Sequence, residues 1–579
     1  MATQVAPHGV NGTSSVFNDW PNDAGFDVFE EEKEPMEMKV SGKIPAYAAG
    51  VLYRTGPGGR QVETNKNKSK VYNVDHWFDG FAQTHRFELL PPADGKHVTN
   101  VKYNSRHTSN GLIEEARKNG KLSGINFGQR QDPCESYFRK VISSFFAART
   151  PDNKGVEDYN IGVTVHPNMP LPGSAPNTKT SDATASSIEN IWLKTDAANL
   201  QRVNPTTLEP REISSNKKIH PDLKGAFTGA HSPTDPITGD WYNYNLETGR
   251  TPVYRIFKVS AKTGEASILA TLSGPKIRPA YLHSIMMTEN YVIVCIFNSY
   301  YIKNGLQVLW ARNLVDAMES DPNSKNTWLV VDRVHGRGLV GIYESPPFFA
   351  FHPVNAWEVP SATSSEKGAI DIHTDIPTYP NLDVLQRSYY NNMSATSPSA
   401  RAYTTQGEKG TTSRTTLTRF CLPELSPSTP TIALSPTTPP PAEAIKETKT
   451  LFTAPSDASP ELPTINPSLH TRPSRYIYGV ADRGHSTFVD GLVKYDAETN
   501  SAMHWHEHAQ SPGEPIFVAE PEGKGEDKGV LLSVVLDGNE GKSYLLCLDA
   551  RTMQEVGRAG MEGVVGFGFH GTYVPGSKV

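Results

Sequence analysis

The chain has 579 residues with 56 basic against 62 acidic side chains and a formal charge of −6, so it exceeds one ordinary compact domain and lacks the cationic excess of a nucleic-acid binder. Hydrophobic residues make up 37% and charged residues 20%, which fits a soluble globular protein and excludes a mostly disordered or polytopic membrane chain. Four cysteines without a CxxC pair support neither a disulfide framework nor a thiolate zinc site, so a metal, if there is one, must be held by histidine. The polar N-terminus has no secretory apolar core and no stretch reaches the ~20 apolar residues of a membrane span, giving a cytoplasmic address as the expectation.

In chain order, the segment beginning Asp132-Pro-Cys134 places Tyr137, Phe138, Val141, Ile142, Phe145 and Phe146 at spacings of three and four, an amphipathic helix. Residues 167–187 are rich in Pro, Ser and Thr and read as a mobile surface insertion, as does 422–460. Elsewhere short β-rich runs dominate, at Ile191–Leu193, Val253–Phe257, Tyr291–Phe297, Tyr476–Tyr478, Val530–Leu536 and Tyr544–Leu548. A turn of the form Asx/Ser-Ala/Pro-x-Thr follows such runs at Asn204, Asp235, Ser260, Asp496 and Asp549. The leading side chain can bond the backbone two residues on and fix a tight turn, so the pattern predicts repeated antiparallel hairpins, and a β-propeller is the architecture that repeats them over this length.

Eighteen histidines invite a search for ligands. The densest group, His504, His506 and His508, lies in a solvated strand between turns with nothing around it to close a pocket, and is set aside as a main metal site. Four others sit at the ends of β runs among small or apolar residues: His231 in Phe227–Asp235, His283 in Tyr281–Tyr291, His352 in Phe349–Glu358 and His570 in Gly566–Gly571. Taken singly each reads as a core histidine, but their spread over separate repeats is what an axial site requires.

These four contexts, together with Gly50–Pro57, His76–Gly80, Glu461–Asn466, Arg475–Gly479, Glu514–Val518 and Glu526–Val535, resemble the carotenoid cleavage oxygenases from about Gly50 to Gly571. Among fungal members the chain is most similar to torulene dioxygenases. The resemblance implies an all-β, seven-bladed β-propeller under a helical and loop dome, with one Fe(2+) held by His231, His283, His352 and His570 and O2 as co-substrate. It implies second-sphere carboxylates at Glu461 and Glu514 and, in place of a third glutamate, Asp196, whose shorter side chain requires either a closer backbone or a bridging water. The corresponding division is an N-terminal extension (1–45) and one propeller domain (46–579) with dome segments at about 103–150.

The implied reaction is O2-dependent cleavage of one double bond of a hydrophobic polyene into aldehydes, with torulene to β-apo-4'-carotenal in the neurosporaxanthin pathway as the best match. Stilbene cleavage, retinal formation from β-carotene and a non-catalytic propeller scaffold are the alternatives. The Tyr137–Phe146 helix would dip the tunnel mouth into a membrane or lipid body; no nucleic acid and no protein partner is expected.

Overall fold

In the computed structural model, residues 19–65, 70–92, 95–130, 154–173 and 184–576 are described. The Tyr137–Phe146 helix lies outside them. The runs read as strands are strands: Ile191–Lys194, Val253–Val259, Tyr291–Ile296, Tyr476–Ala481, Gly529–Asp537 and Lys542–Asp549. They belong to antiparallel meanders arranged in the manner of a propeller.

Among the described residues five sheets of four or five strands stand apart, rather than seven, and a further assembly is one ten-stranded sheet. The first four-stranded sheet runs from Thr164–Pro167 to Pro210–Ser215 and the second from Phe227–Thr228 to Ala266–Leu272. The third holds Met286–Met287, Tyr291–Ile296, Asn326–Asp332 and Leu339–Ser345, the fourth starts at Asn355–Pro360 and the fifth at Glu461–Thr464. In the ten-stranded sheet the two chain ends interleave. Met36–Gly42 pairs on one side with Gln554–Gly560 and on the other with Val101–His107, while Gly50–Pro57 lies between Ala82–Leu89 and His570–Pro575. A nonlocal pairing thus joins what sequence order would separate, which is why the count of free-standing sheets falls short of seven.

The Asx turns do what their side chains allow. Asn204 Oδ1 accepts from the N–H groups of Thr206 and Thr207, Asp235 Oδ1 from Ile237 and Thr238, Asp496 Oδ1 from Glu498 and Thr499, and Asp549 Oδ1 from Arg551 and Thr552. Each such bond contributes about 1 kcal/mol net and, more usefully, fixes the hairpin register. Asp332 and Asp537 cap turns in the same way without the Thr of the motif.

Within the segment 422–460 the Pro/Thr-rich composition hides order. Ile445–Glu447 pairs in parallel with Leu339–Ser345, and Lys449–Thr453 forms the edge strand beside Thr416–Leu425. The largest apolar core fills the space between the second, third and fourth sheets, where Tyr291–Ile296 is buried along its whole length because neighbouring sheets cover both faces.

Candidate metal centre

Each axial histidine sits at the mouth of a short strand. His283 and His352 lie three residues before Met286–Met287 and Asn355–Pro360, His231 three residues after Phe227–Thr228, and His570 opens His570–Pro575. His231 and Ser284 form a parallel bridge, and the N–H of His231 donates to the carbonyl of His283, which locks two of the loops together. The four rings converge, with centroid separations from 4.3 Å (His231–His570) to 5.9 Å (His283–His570). The ligand atoms of His231, His352 and His570 lie within 4.8 Å of one another.

Three of the rings rest on carboxylates. His283 Nδ1 is 3.0 Å from Asp196 Oδ2, His352 Nδ1 is 3.1 Å from Glu461 Oε1, and His570 Nδ1 is 2.8 Å from Glu514 Oε1. The contact of Asp196 is direct and needs no bridging water. The carboxylates are themselves held. Tyr281 donates its hydroxyl to Asp196 Oδ2, Ala230 donates its N–H to Asp196 Oδ1, and Tyr379 donates its hydroxyl to Glu461 Oε1. Glu514 Oε2 accepts from the Gly571 N–H and from Arg54 Nη1, a guanidinium 3% exposed and fixed by the register that places Arg54 opposite Gly571.

Burial holds three of the imidazoles, His231, His352 and His570, toward the neutral form. It pushes His231 and His570 well below the usual histidine value, with the neighbouring rings adding to the effect, and lowers His352 despite the opposing pull of Glu461. Burial also raises Glu514 to about 7, against the opposing pull of Arg54 and the Gly571 N–H. A neutral ring that donates Nδ1–H to a carboxylate turns the lone pair of Nε2 inward. His352 Nε2 and His570 Nε2 then face each other at 3.1 Å with no proton between them, and His283 Nε2 is buried without any partner. Converging lone pairs without donors are what a cation would satisfy, and an all-imidazole set suits iron, zinc, copper or nickel. The donor set therefore fits a divalent transition metal.

The surface triplet is built differently. His504 Nε2 bonds the carbonyl of Asp457, His508 Nε2 lies 3.5 Å from Asp19, and the three rings share no ligand-bearing group among the described residues.

A cavity of about 1080 Å³ opens onto His283, His352 and His570. Its wall near the rings is aromatic, and sequence reasoning passed it over: Phe78 packs against Phe127, Phe351 and Phe569 at centroid distances of 4.8, 5.8 and 5.3 Å. A signal was present, since Phe351-His352 and Phe569-His570 are Phe-His pairs and Phe78 lies within His76–Gly80.

The retinal pigment epithelial membrane protein (RPE65) family model matches residues 25–575. A carotenoid dioxygenase of Neurospora crassa is 38% identical over 97% of this chain and 92% of its own length. A torulene dioxygenase of Gibberella fujikuroi is 37% identical over 96% and 94%. Among solved structures, cobalt-substituted apocarotenoid oxygenase of Synechocystis superposes with a TM-score of 0.67 at 19% identity, covering 96% of this chain and 99% of that one, and so shares the fold. With the family model spanning nearly the whole chain and two fungal relatives well above 30% identity, the chain belongs to the RPE65 family of carotenoid oxygenases.

Proposed function

We propose that the protein cleaves a carbon–carbon double bond of a carotenoid with O2 to give two aldehydes, with Fe(2+) held by His231, His283, His352 and His570 and with torulene, yielding β-apo-4'-carotenal, as the substrate. The observation that carries this reading is the convergence of four imidazoles, three of them aimed by carboxylates and one, His283, with its Nε2 buried and unpartnered, on an aromatic-walled cavity. The names of the fungal relatives support the substrate class.

When bound, iron supplies the redox chemistry that places one oxygen atom of O2 on each carbon of the severed bond. The protein's own residues do the rest. Asp196, Glu461 and Glu514 fix the tautomer and tilt of His283, His352 and His570, and Tyr281, Tyr379 and Arg54 fix the carboxylates. Phe78, Phe127, Phe351 and Phe569 exclude water and offer ring faces to a flat polyene, so its position along the cavity selects the bond presented to the centre. No side-chain acid or base is assigned.

The ten-stranded sheet is read as two blades joined through Met36–Gly42, which with the five separate sheets makes seven. Among the described residues no helix is long and apolar enough to cross a membrane. Peripheral attachment through the apolar residues of the segment 137–146, which lies outside the described residues, is the route proposed for a substrate that water does not carry.

The test is direct. Protein produced in iron-supplemented culture should contain about one iron per chain and convert torulene to β-apo-4'-carotenal by mass spectrometry. Efficient conversion of resveratrol instead, or full turnover in the iron-free protein, would overturn the assignment.

A further inference from the structure

A second group of metal-ligating side chains stands outside the axial centre. An oxygen of Asp371, a ring nitrogen of His373 and the sulfur of Cys421 all lie within 4.8 Å of one another. Four cysteines without a CxxC pair argue against a cysteine-rich zinc site, whereas one thiolate completed by histidine and aspartate needs no second cysteine. The fourth sheet supplies that juxtaposition. Asp371 and His373 lie two residues apart on Ile370–Thr378 and so share one face, and His373 is paired directly with Cys421 of Thr416–Leu425. The opposite face carries Ile372, Phe420 and Leu422 into the largest core.

The surroundings hold the three in place. The register slips between Ile370 and Ile372, where Pro423 and Glu424 bulge opposite Asp371. Glu424 takes a left-handed φ of +58° and donates its N–H to Asp371 Oδ1 at 2.8 Å, which fixes the carboxylate without using both of its oxygens. The His373 ring meets Trp357 edge to face, centroids 5.9 Å apart, and neither of its nitrogens has a protein hydrogen-bond partner among the described residues. Asp375, next along the same face, does not compete, because Arg419 holds its two oxygens at 2.7 and 2.8 Å. Cys421 is a free, buried thiol, while the half-buried Asp371 and His373 keep the group in touch with solvent.

We propose that Asp371, His373 and Cys421 form a second metal site, for zinc or a divalent cation of similar size and softness, separate from the axial centre. Carboxylate oxygen, imidazole nitrogen and thiolate sulfur are all ordinary zinc ligands, and three of them leave the fourth tetrahedral position to water. Burial and Asp371 push the Cys421 thiol up to about 11, with Lys449 opposing, so the cation takes the place of the thiol proton, which passes to solvent. The bound ion clips two strands together beside the bulge at Glu424, just before the chain enters its Pro/Thr-rich stretch.

Cobalt(II) is the probe, because a thiolate ligand gives a sulfur-to-cobalt charge-transfer band in the near ultraviolet that an all-histidine centre does not. It is titrated under argon into the reduced, full-length, iron-loaded protein. The band should rise to saturation as a single site and fade when zinc is added. Cys421→Ser should abolish it. His373→Gln and Asp371→Asn should each weaken cobalt binding by at least about tenfold, since losing even an outer-sphere partner costs that much. Asp371→Asn keeps an oxygen for the Glu424 N–H, so the bulge is preserved while the charge is removed. Zinc should raise the thermal midpoint of the wild type and leave that of Cys421→Ser unchanged. No band in the wild type, a band that survives Cys421→Ser, wild-type affinity in either of the other variants, or equal zinc responses of the two midpoints overturns the site. The readouts use no carotenoid, so their failure leaves the cleavage reading untouched.

Discussion

The protein carries two histidine clusters, and they differ in everything except residue type. His504, His506 and His508 are neighbours in sequence, on or just after an outer strand, with His504 and His508 bonded singly to a carbonyl and to an exposed aspartate. His231, His283, His352 and His570 come from four segments spread over most of the chain and meet as three buried rings and one half-buried, His231, with the three buried ones on carboxylates. Density in sequence is therefore a poor guide to a metal centre. The better guide is a histidine at a strand mouth with a carboxylate of its own, because burial makes the ring neutral and the carboxylate aims its lone pair.

The largest effect should come from the axial rings. His352→Ala or His570→Ala is expected to abolish metal retention and carotenoid cleavage, while the triple change of His504, His506 and His508 to Ala leaves both within about twofold; metal analysis and aldehyde yield decide. Equal losses in the two sets would erase the distinction.

Next come the carboxylates. Glu514→Gln and Glu461→Gln should each lower metal affinity or rate by about 10- to 100-fold. Glu514→Gln should additionally destabilise the fold by about 3–5 kcal/mol, because it leaves Arg54 buried without its anion, whereas Glu461 has no such cation. Denaturation midpoints of the two variants test that asymmetry.

The pH response sharpens the same contrast. Burial holds His76 and His85 down to about 3, and His231 and His570 well below 6.5. The unfolded chain takes up these protons below about 6.5, so their contribution to stability is complete above that pH and is lost progressively as the pH falls toward 3. Glu514, raised to about 7, and Asp79, raised to about 6, work in the opposite sense as the pH falls, against these rings and His166 and His352, which burial also lowers. The thermal midpoint of the metal-free protein is expected to drop steadily below pH 6.5.

The smallest effect is expected from shortening the chain at 428–441, which removes no strand. Extending the deletion to 450 takes out Ile445–Glu447 and part of an edge strand and should lower the midpoint measurably. If the two deletions behave alike, those pairings contribute little.

Much of this was legible in the residues. The Asx turns announce hairpins because their signal is local, two or three residues long. The four histidine contexts and Glu461 and Glu514 were found through motif resemblance, and the structure brings them together. What stayed hidden is nonlocal or compositionally masked. Arg54 lies 460 residues from its partner Glu514, so nothing in its own surroundings marks it. Phe127 has no periodic companion on its loop. Ile445–Glu447 and Lys449–Thr453 are short edge strands inside a Pro/Thr-rich stretch, where composition outweighs pattern.

The interleaving of the chain ends has a consequence for biogenesis. His570 opens the last strand and pairs with Thr55, so the residue that completes the ring of imidazoles also closes the barrel-like circuit of sheets against its first-made partner. A nascent chain on the ribosome can build its inner hairpins in order, but it cannot acquire a complete metal centre until His570–Pro575 emerges and docks. Premature termination anywhere before that point yields a chain deprived of circuit closure and metal site together, with no partially active product between the two.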